Sequence, residues 1–287
     1  MPPDWLHLYR KLRFLEWILL GYLLLVMILL WVAPHPPSCR GWLSWIHLAV
    51  IAWMLVLAEY ESQHPVLKLL RDWFPLLMVG PLYSEATYLN TMFFQQMLDP
   101  LLTRIDETLF GSPLVIRLAP ITPIWFREII HAVYFSYYLV YVLPPLIWYR
   151  RNRTAFRQYL TGIVFVEVFH LVLILLIPAE GPVALRAGRV DEGILFIPLM
   201  ELIYRMGEYG GAAFPSSHVA VSVFAVGVLF PFLKMRDRLL LAVWVLGICF
   251  ATIFCGYHYV VDVFGGLVSG AFCLASFRLL SRKMSFS

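Results

Sequence analysis

The stretch FLEWILLGYLLLVMILLWVA, Phe14 to Ala33, holds one acid in twenty residues and has the length a helix needs to cross about 30 Å of hydrocarbon. Comparable apolar runs follow at about 43 to 58, 73 to 93, 123 to 148, 156 to 177, 216 to 233, 239 to 256 and 259 to 280. Across the 287 residues, 61% are hydrophobic and only 14% charged, which excludes a soluble fold. The expected architecture is therefore an all-α, polytopic transmembrane helical bundle of about six to eight spans. Arg10, Lys11 and Arg13 before the first run resemble the start of a signal peptide. The run is longer than a signal core and lacks a small-x-small cleavage site before Pro34, so it reads as a retained anchor.

Eight crossings place both termini on one side, and on that assignment 15 of the 22 Lys and Arg fall there. They lie near residue 11, at Lys68 and Arg71, at 150 to 157, at 234 to 238 and after 277. The positive-inside rule makes that side cytoplasmic. The run 73 to 93 is interrupted by Pro75, Gly80, Pro81 and Glu85 and admits a broken or re-entrant helix. After it, Leu98 to Leu118 sets Asp99, Arg104, Asp106 and Glu107 among leucines and predicts an amphipathic helix in the outer interface, a brace or a lid. No internal repeat divides the chain. We read one structural domain, with residues 1–122 as N-terminal membrane helices plus the amphipathic helix and 123–287 as a catalytic core. The net charge of +4 comes from small basic groups at helix ends, which suit a bilayer surface and not nucleic acid. Cys39, Cys249, Cys255 and Cys273 have no metal-ligand or CxxC spacing.

Two segments carry chemistry. The first, GGAAFPSSH, runs from Gly210 to His218 and ends a polar outer segment, 178 to 215, at the start of the sixth run. Pro and Ser are good helix-starting residues, and the free N–H groups of a first turn make an anion site. Ser216 and Ser217 add hydroxyl donors, and His218 can hold a proton for a departing oxygen. Forty residues later GYHYVVD, Gly256 to Asp262, opens the last run. Two spans joined by the basic turn 234 to 238 return the chain to the same face, so His218 and His258 share one depth. Asp262 stands four residues after His258 on the same helical face, where its carboxylate can take an imidazole N–H. Taken singly, a histidine at a helix end or an acid one turn inside a span is more often structural. Together with an intramembrane carboxylate, the pair points to catalysis.

The two segments resemble the second and third signature motifs of the type 2 phosphatidic acid phosphatase superfamily, and their wording is closest to its inositol phosphorylceramide synthase-like and sphingomyelin synthase-like branch. The likeness is strongest over about residues 156 to 280. It implies a membrane enzyme that cleaves or transfers a phosphate or phospho-headgroup of a lipid-linked substrate through a phosphohistidine. His258 would be the nucleophile, Asp262 its orienter and His218 the acid, with Ser216 and Ser217 binding phosphate, no cofactor and no metal. The family's first motif, a Lys followed seven residues later by Arg-Pro, is absent, and its third-motif Arg is Thr252. Cations must then come from the outer segment, where Arg186 and Arg205 are the choices for substrate binding. The pairs Glu167 with His170 and Glu128 with His131 are placed to line a pocket or to bond between helices. A lipid or ion transporter without phosphoryl chemistry is the alternative from another class, marked by the interrupted third run and Glu167.

Overall fold

The computed structural model describes residues 11–190, 192–207 and 210–282; Arg10 and Lys283, both counted in the charge bias, lie outside them. The fold is all-α among the described residues, with no named strand. Six helical stretches are long and apolar enough to cross a membrane: Phe14–Val32 (α1), Arg40–Tyr60 (α2), Ile124–Arg151, Arg153–Leu176 (α8), Met235–Phe254 (α11) and Val260–Ser281 (α12). The third of these comprises α6 (Ile124–Phe135), a 3₁₀ turn and α7 (Leu139–Arg151). Two more helices complete the bundle, α3 (Pro65–Leu89) and the shorter α10 (Ser217–Leu229).

The interrupted run is helical without a break from residue 73 to the end of α3 at Leu89, and α3 begins earlier, at Pro65. Its 25 residues reach about 37 Å at 1.5 Å per residue, enough to cross despite Pro75 and Pro81. Glu85 is not a break either, because the buried His47 of α2 meets its two carboxylate oxygens at 2.8 and 3.0 Å.

At the end of the bundle remote from the two motifs, several cations do not face headgroups as their grouping suggested. Arg71 forms a two-pronged pair with Glu16 at 2.6 and 2.6 Å and a third contact with Glu61 at 2.6 Å. Arg13 joins Asp72 at 2.7 Å and Glu61 at 2.5 Å. Arg71, Glu16 and Asp72 are buried, where an unpaired charge would be costly. The network ties α1 and α3 to the end of α2, and Arg153 extends it to α8.

The predicted amphipathic helix is two helices, α4 (Asp99–Phe110) and α5 (Leu114–Leu118), because Gly111 takes a left-handed φ of 78° and caps the first. Of the two roles, brace is the one its contacts fit. Asp99 accepts from the backbone N–H groups of Glu180 and Gly181, both at 2.8 Å, and Asp106 accepts from Val260 at 3.1 Å. Burial pushes the Asp106 carboxyl above the usual carboxylate range, against the pull of the Val260 and Val261 N–H donors.

Helices α10 and α12 approach closely through Gly266 and Gly270, one turn apart. A Cβ on Gly270 would lie 2.6 Å from the Ala220 carbonyl oxygen, and one on Gly266 2.5 Å from that of Ser216. Both obstacles are backbone, so side-chain adjustment cannot relieve them. Gly270→Val is expected to cost about 1–3 kcal/mol by overpacking, read as earlier thermal unfolding in detergent together with at least about tenfold lower activity. Unfolding at the wild-type temperature would show that the contact is not needed.

Candidate active site

The loop before α10 is shaped by backbone pairing. Ala179 donates to Gly211 at 3.2 Å and Ala213 donates to Ala179 at 2.7 Å, an isolated parallel bridge, while Asn90 holds the Gly210 carbonyl at 2.7 Å. Gly181, at φ 79°, lets this strip lie against the Tyr257 backbone, where a Cβ would come within 2.4 Å of the carbonyl oxygen. The strip presents the Ala213 carbonyl to the His258 segment.

His258 Nδ1 stands 2.9 Å from that carbonyl. A carbonyl only accepts, so Nδ1 carries the hydrogen and Nε2 of the neutral ring keeps its lone pair. Nε2 lies 3.2 Å from Ser216 Oγ, whose hydroxyl donates to it. Ser216 also caps α10, accepting from Val219 N–H, and its own N–H donates to the Asp262 carbonyl at 3.0 Å. The expected hydrogen bond from His258 to Asp262 is thus replaced by the one to Ala213, and the carboxylate stays close as a charge contact. Asp262 Oδ2 sits 3.5 Å from Nδ1, further than the Ala213 oxygen, and accepts from Tyr259 N–H at 2.8 Å, capping α12. The other carboxylate oxygen is buried without a partner among the described residues.

His218, on the first turn of α10, has its ring centroid 5.7 Å from that of His258. Its Nε2 is hydrogen-bonded to the Tyr134 hydroxyl at 3.0 Å, and Tyr134 in turn bonds the Tyr204 hydroxyl at 2.8 Å. Tyr134 stacks on the imidazole at 4.8 Å, and Tyr137 lies against it at 4.4 Å. His218 Nδ1 is buried with no partner among the described residues. The structure therefore brings His218, His258, Asp262 and Ser216 into one cluster, with Ser217 beside His218 on the wall of a cavity of about 550 Å³.

That cavity lies between α3, α7, α8, α10 and the helix Phe196–Gly207 (α9). Its rim includes Leu77 and Val142, 66% and 46% exposed on the apolar flank, so it opens sideways between α3 and α7. Glu167 is on its inner wall, accepting from Tyr141 and, at 3.3 Å, from Tyr137. Its sequence neighbour His170 instead bonds Ser269 of α12 at 3.0 Å, an interhelical contact. Glu128 caps the start of α9 through the N–H groups of Ile194, Leu195 and Phe196, and His131 bonds its own helix at the Arg127 carbonyl.

The two arginines differ from each other. Arg186 is buried, donates to the Cys255 carbonyl at 2.7 Å, pairs with Glu201 at 2.7 Å and lies 3.9 Å over the Tyr257 ring; one terminal nitrogen has no partner among the described residues. Burial opposes its charge, but Tyr257 and Glu201 hold its pKa above the ordinary arginine value. Tyr257 stacks on Tyr134 and Tyr204, so Arg186 joins the aromatic group behind His218 and does not touch His258. Arg205 is exposed in the last turn of α9. Thr252, where the family motif has Arg, is fully buried, and its carbonyl receives the N–H groups of Tyr257 and His258 at 3.2 and 3.1 Å. Sequence reasoning missed Tyr134, Tyr204 and the Ala213 carbonyl. Four tyrosines in eight residues, 134 to 141, inside an apolar run were the available signal for the first.

A model of the PAP2 superfamily matches residues 103–276, from within α4 to within α12, and so contains both motifs. No curated protein and no solved structure matches the chain.

Proposed function

Because this chain belongs to the PAP2 superfamily, whose members are phosphatases, we propose that it cleaves or transfers the phosphate or phospho-headgroup of a lipid-linked substrate through a phosphohistidine. The observation that carries the mechanism is the His258 tautomer: Nδ1–H is committed to the Ala213 carbonyl, which leaves Nε2 as the only ring nitrogen able to attack phosphorus. In the first step the Nε2 lone pair forms the P–N bond, the bond to the leaving oxygen breaks, and His218 protonates that oxygen. In the second, water or an acceptor alcohol gives its proton to His218 and attacks phosphorus, returning the electron pair to Nε2. Ser216, released from Nε2, turns its hydroxyl to a phosphate oxygen, with Ser217 and the first-turn N–H groups of α10 alongside. Asp262 offsets the positive charge that His258 gains.

A lipid substrate is supported by the sideways cavity, which leads from the apolar flank to Ser217 and His218. Its lining has no Lys or Arg among the described residues. Arg186 and Arg205 supply the nearby positive charge, Arg186 through the terminal nitrogen that has no partner among the described residues. The charge bias of the chain supports a site on the non-cytoplasmic face, with the described ends of the chain on the cytoplasmic side.

The test is purified protein in sealed liposomes with a panel of long-chain phosphate monoesters, phosphodiesters and soluble phosphates, reading free phosphate and newly formed phospholipid. Turnover is expected to persist in chelator and to favour long-chain over soluble esters at least about tenfold in kcat/KM, consistent with burying several methylenes. Impermeant short-chain substrate should be consumed by intact cells. Equal kcat/KM for soluble and long-chain esters would remove the lipid part of the proposal, and consumption only after permeabilisation would reverse the orientation.

A further inference from the structure

We infer that Tyr134 is a positioning residue that decides which nitrogen of His218 exchanges the proton, an assignment that rests on His218 being the acid of the proposed reaction. The two nitrogens of His218 have different surroundings: Nε2 is 3.0 Å from the Tyr134 hydroxyl, and Nδ1 is buried with no partner among the described residues. A histidine that alternates between acid and base needs one nitrogen held in a constant state and one free to change. Tyr134 provides the constant partner. In this assignment its oxygen accepts from Nε2–H, 3.0 Å away, and its own hydrogen is directed to the Tyr204 oxygen, 2.8 Å away. This arrangement is the same whether Nδ1 is protonated or bare.

The proton balance follows. With phosphate bound, its negative charge favours the imidazolium, in which Nε2–H donates to Tyr134 and Nδ1–H faces the leaving oxygen. Breaking the P–O bond moves the Nδ1 proton to that oxygen and leaves the neutral Nε2–H tautomer. Water or an alcohol then returns a proton to Nδ1 as its oxygen attacks the phosphohistidine. Without the Tyr134 oxygen the neutral ring would divide between tautomers, and the Nδ1–H form could not serve as the base. The ring itself is held separately, stacked on His218 at 4.8 Å and on Tyr257 at 4.8 Å, so Tyr134→Phe keeps the stack and removes only the hydroxyl.

The experiment compares wild type, Tyr134→Phe, His218→Ala and the double variant on two esters of the phosphoryl group the enzyme accepts. One has an alkyl leaving group, and the other a nitroaryl leaving group bearing the same alkyl chain and needing no protonation. Tyr134→Phe is expected to lower kcat on the alkyl ester about tenfold, a fraction of the total effect of a general acid, to leave the nitroaryl ester within about twofold, and to add nothing to His218→Ala. If His218→Ala is selective for the alkyl ester but Tyr134→Phe lowers both esters equally or neither, the inference fails and the acid role stands. If His218→Ala itself lowers both equally, the acid role fails and the inference with it.

Discussion

Replacing His258 by alanine is expected to reduce turnover by at least about 10⁴-fold, because it removes the nucleophile and the fold supplies no substitute. The other imidazole is not placed to take over: its ring centroid is 5.7 Å away, its Nε2 is engaged with Tyr134, and in the proposed reaction its Nδ1 faces the leaving oxygen carrying the proton that oxygen takes. Ser216, left facing the gap, has no base at hydrogen-bond distance among the described residues once His258 is gone, its other side-chain bond being accepted from the Val219 N–H. The structural cost is small by comparison, since the ring gives up two hydrogen bonds, each contributing about 1 kcal/mol. The decisive measurement is a radiolabelled donor quenched during turnover. Wild type should carry an acid-labile, alkali-stable phosphoryl label, and His258→Ala should carry none while unfolding near the wild-type temperature. A labelled His258→Ala protein, or one retaining a tenth of the wild-type rate, would transfer the reaction to another residue.

Asp262→Asn is expected to lower kcat on the order of 10²- to 10³-fold with little loss of stability. The carboxylate is fully buried, 3.5 Å from His258 Nδ1 and 2.8 Å from Tyr259 N–H. Asparagine keeps an oxygen to cap α12 but loses the negative charge. That charge matters when phosphorus is attached and the ring becomes a cation in a site walled by apolar helices. The loss should be smaller than for His258→Ala because the Ala213 carbonyl, at 2.9 Å, keeps Nδ1 protonated without help. Rates within threefold of wild type in Asp262→Asn would mean that Ala213 alone orients the ring and that the acid only caps a helix. Losses equal to those of His258→Ala, with intact folding, would mean the reverse, that Ala213 contributes no tautomer control.

The separation of the two motifs explains why the central cluster was legible before the fold was seen. Two hydrophobic runs of span length between His218 and His258 leave one arrangement in which both lie at the same end, and the four-residue offset to Asp262 is a property of any helix. The tyrosines were a different matter. Tyr134 and Tyr204 belong to helices far apart in the chain, and nothing in their local spacing shows that their hydroxyls meet behind His218. Asp99 and Asp106 illustrate the same limit: their position on an amphipathic helix was readable, but not that they receive backbone N–H groups from Glu180, Gly181 and Val260.

The amino-acid sequence by itself determined that this is a bundle of membrane-crossing helices with two histidine motifs, since crossing length and helical period depend on residues near one another in the chain. Only the tertiary structure decided which nitrogen of each imidazole is engaged, that the interrupted run is helical without a break as far as Leu89, and that Arg186 is paired behind the site while Arg205 is exposed. Those outcomes depend on which polar atoms from distant segments come within 3 Å in surroundings without water, where an unpartnered group is costly, and no local pattern encodes such a meeting.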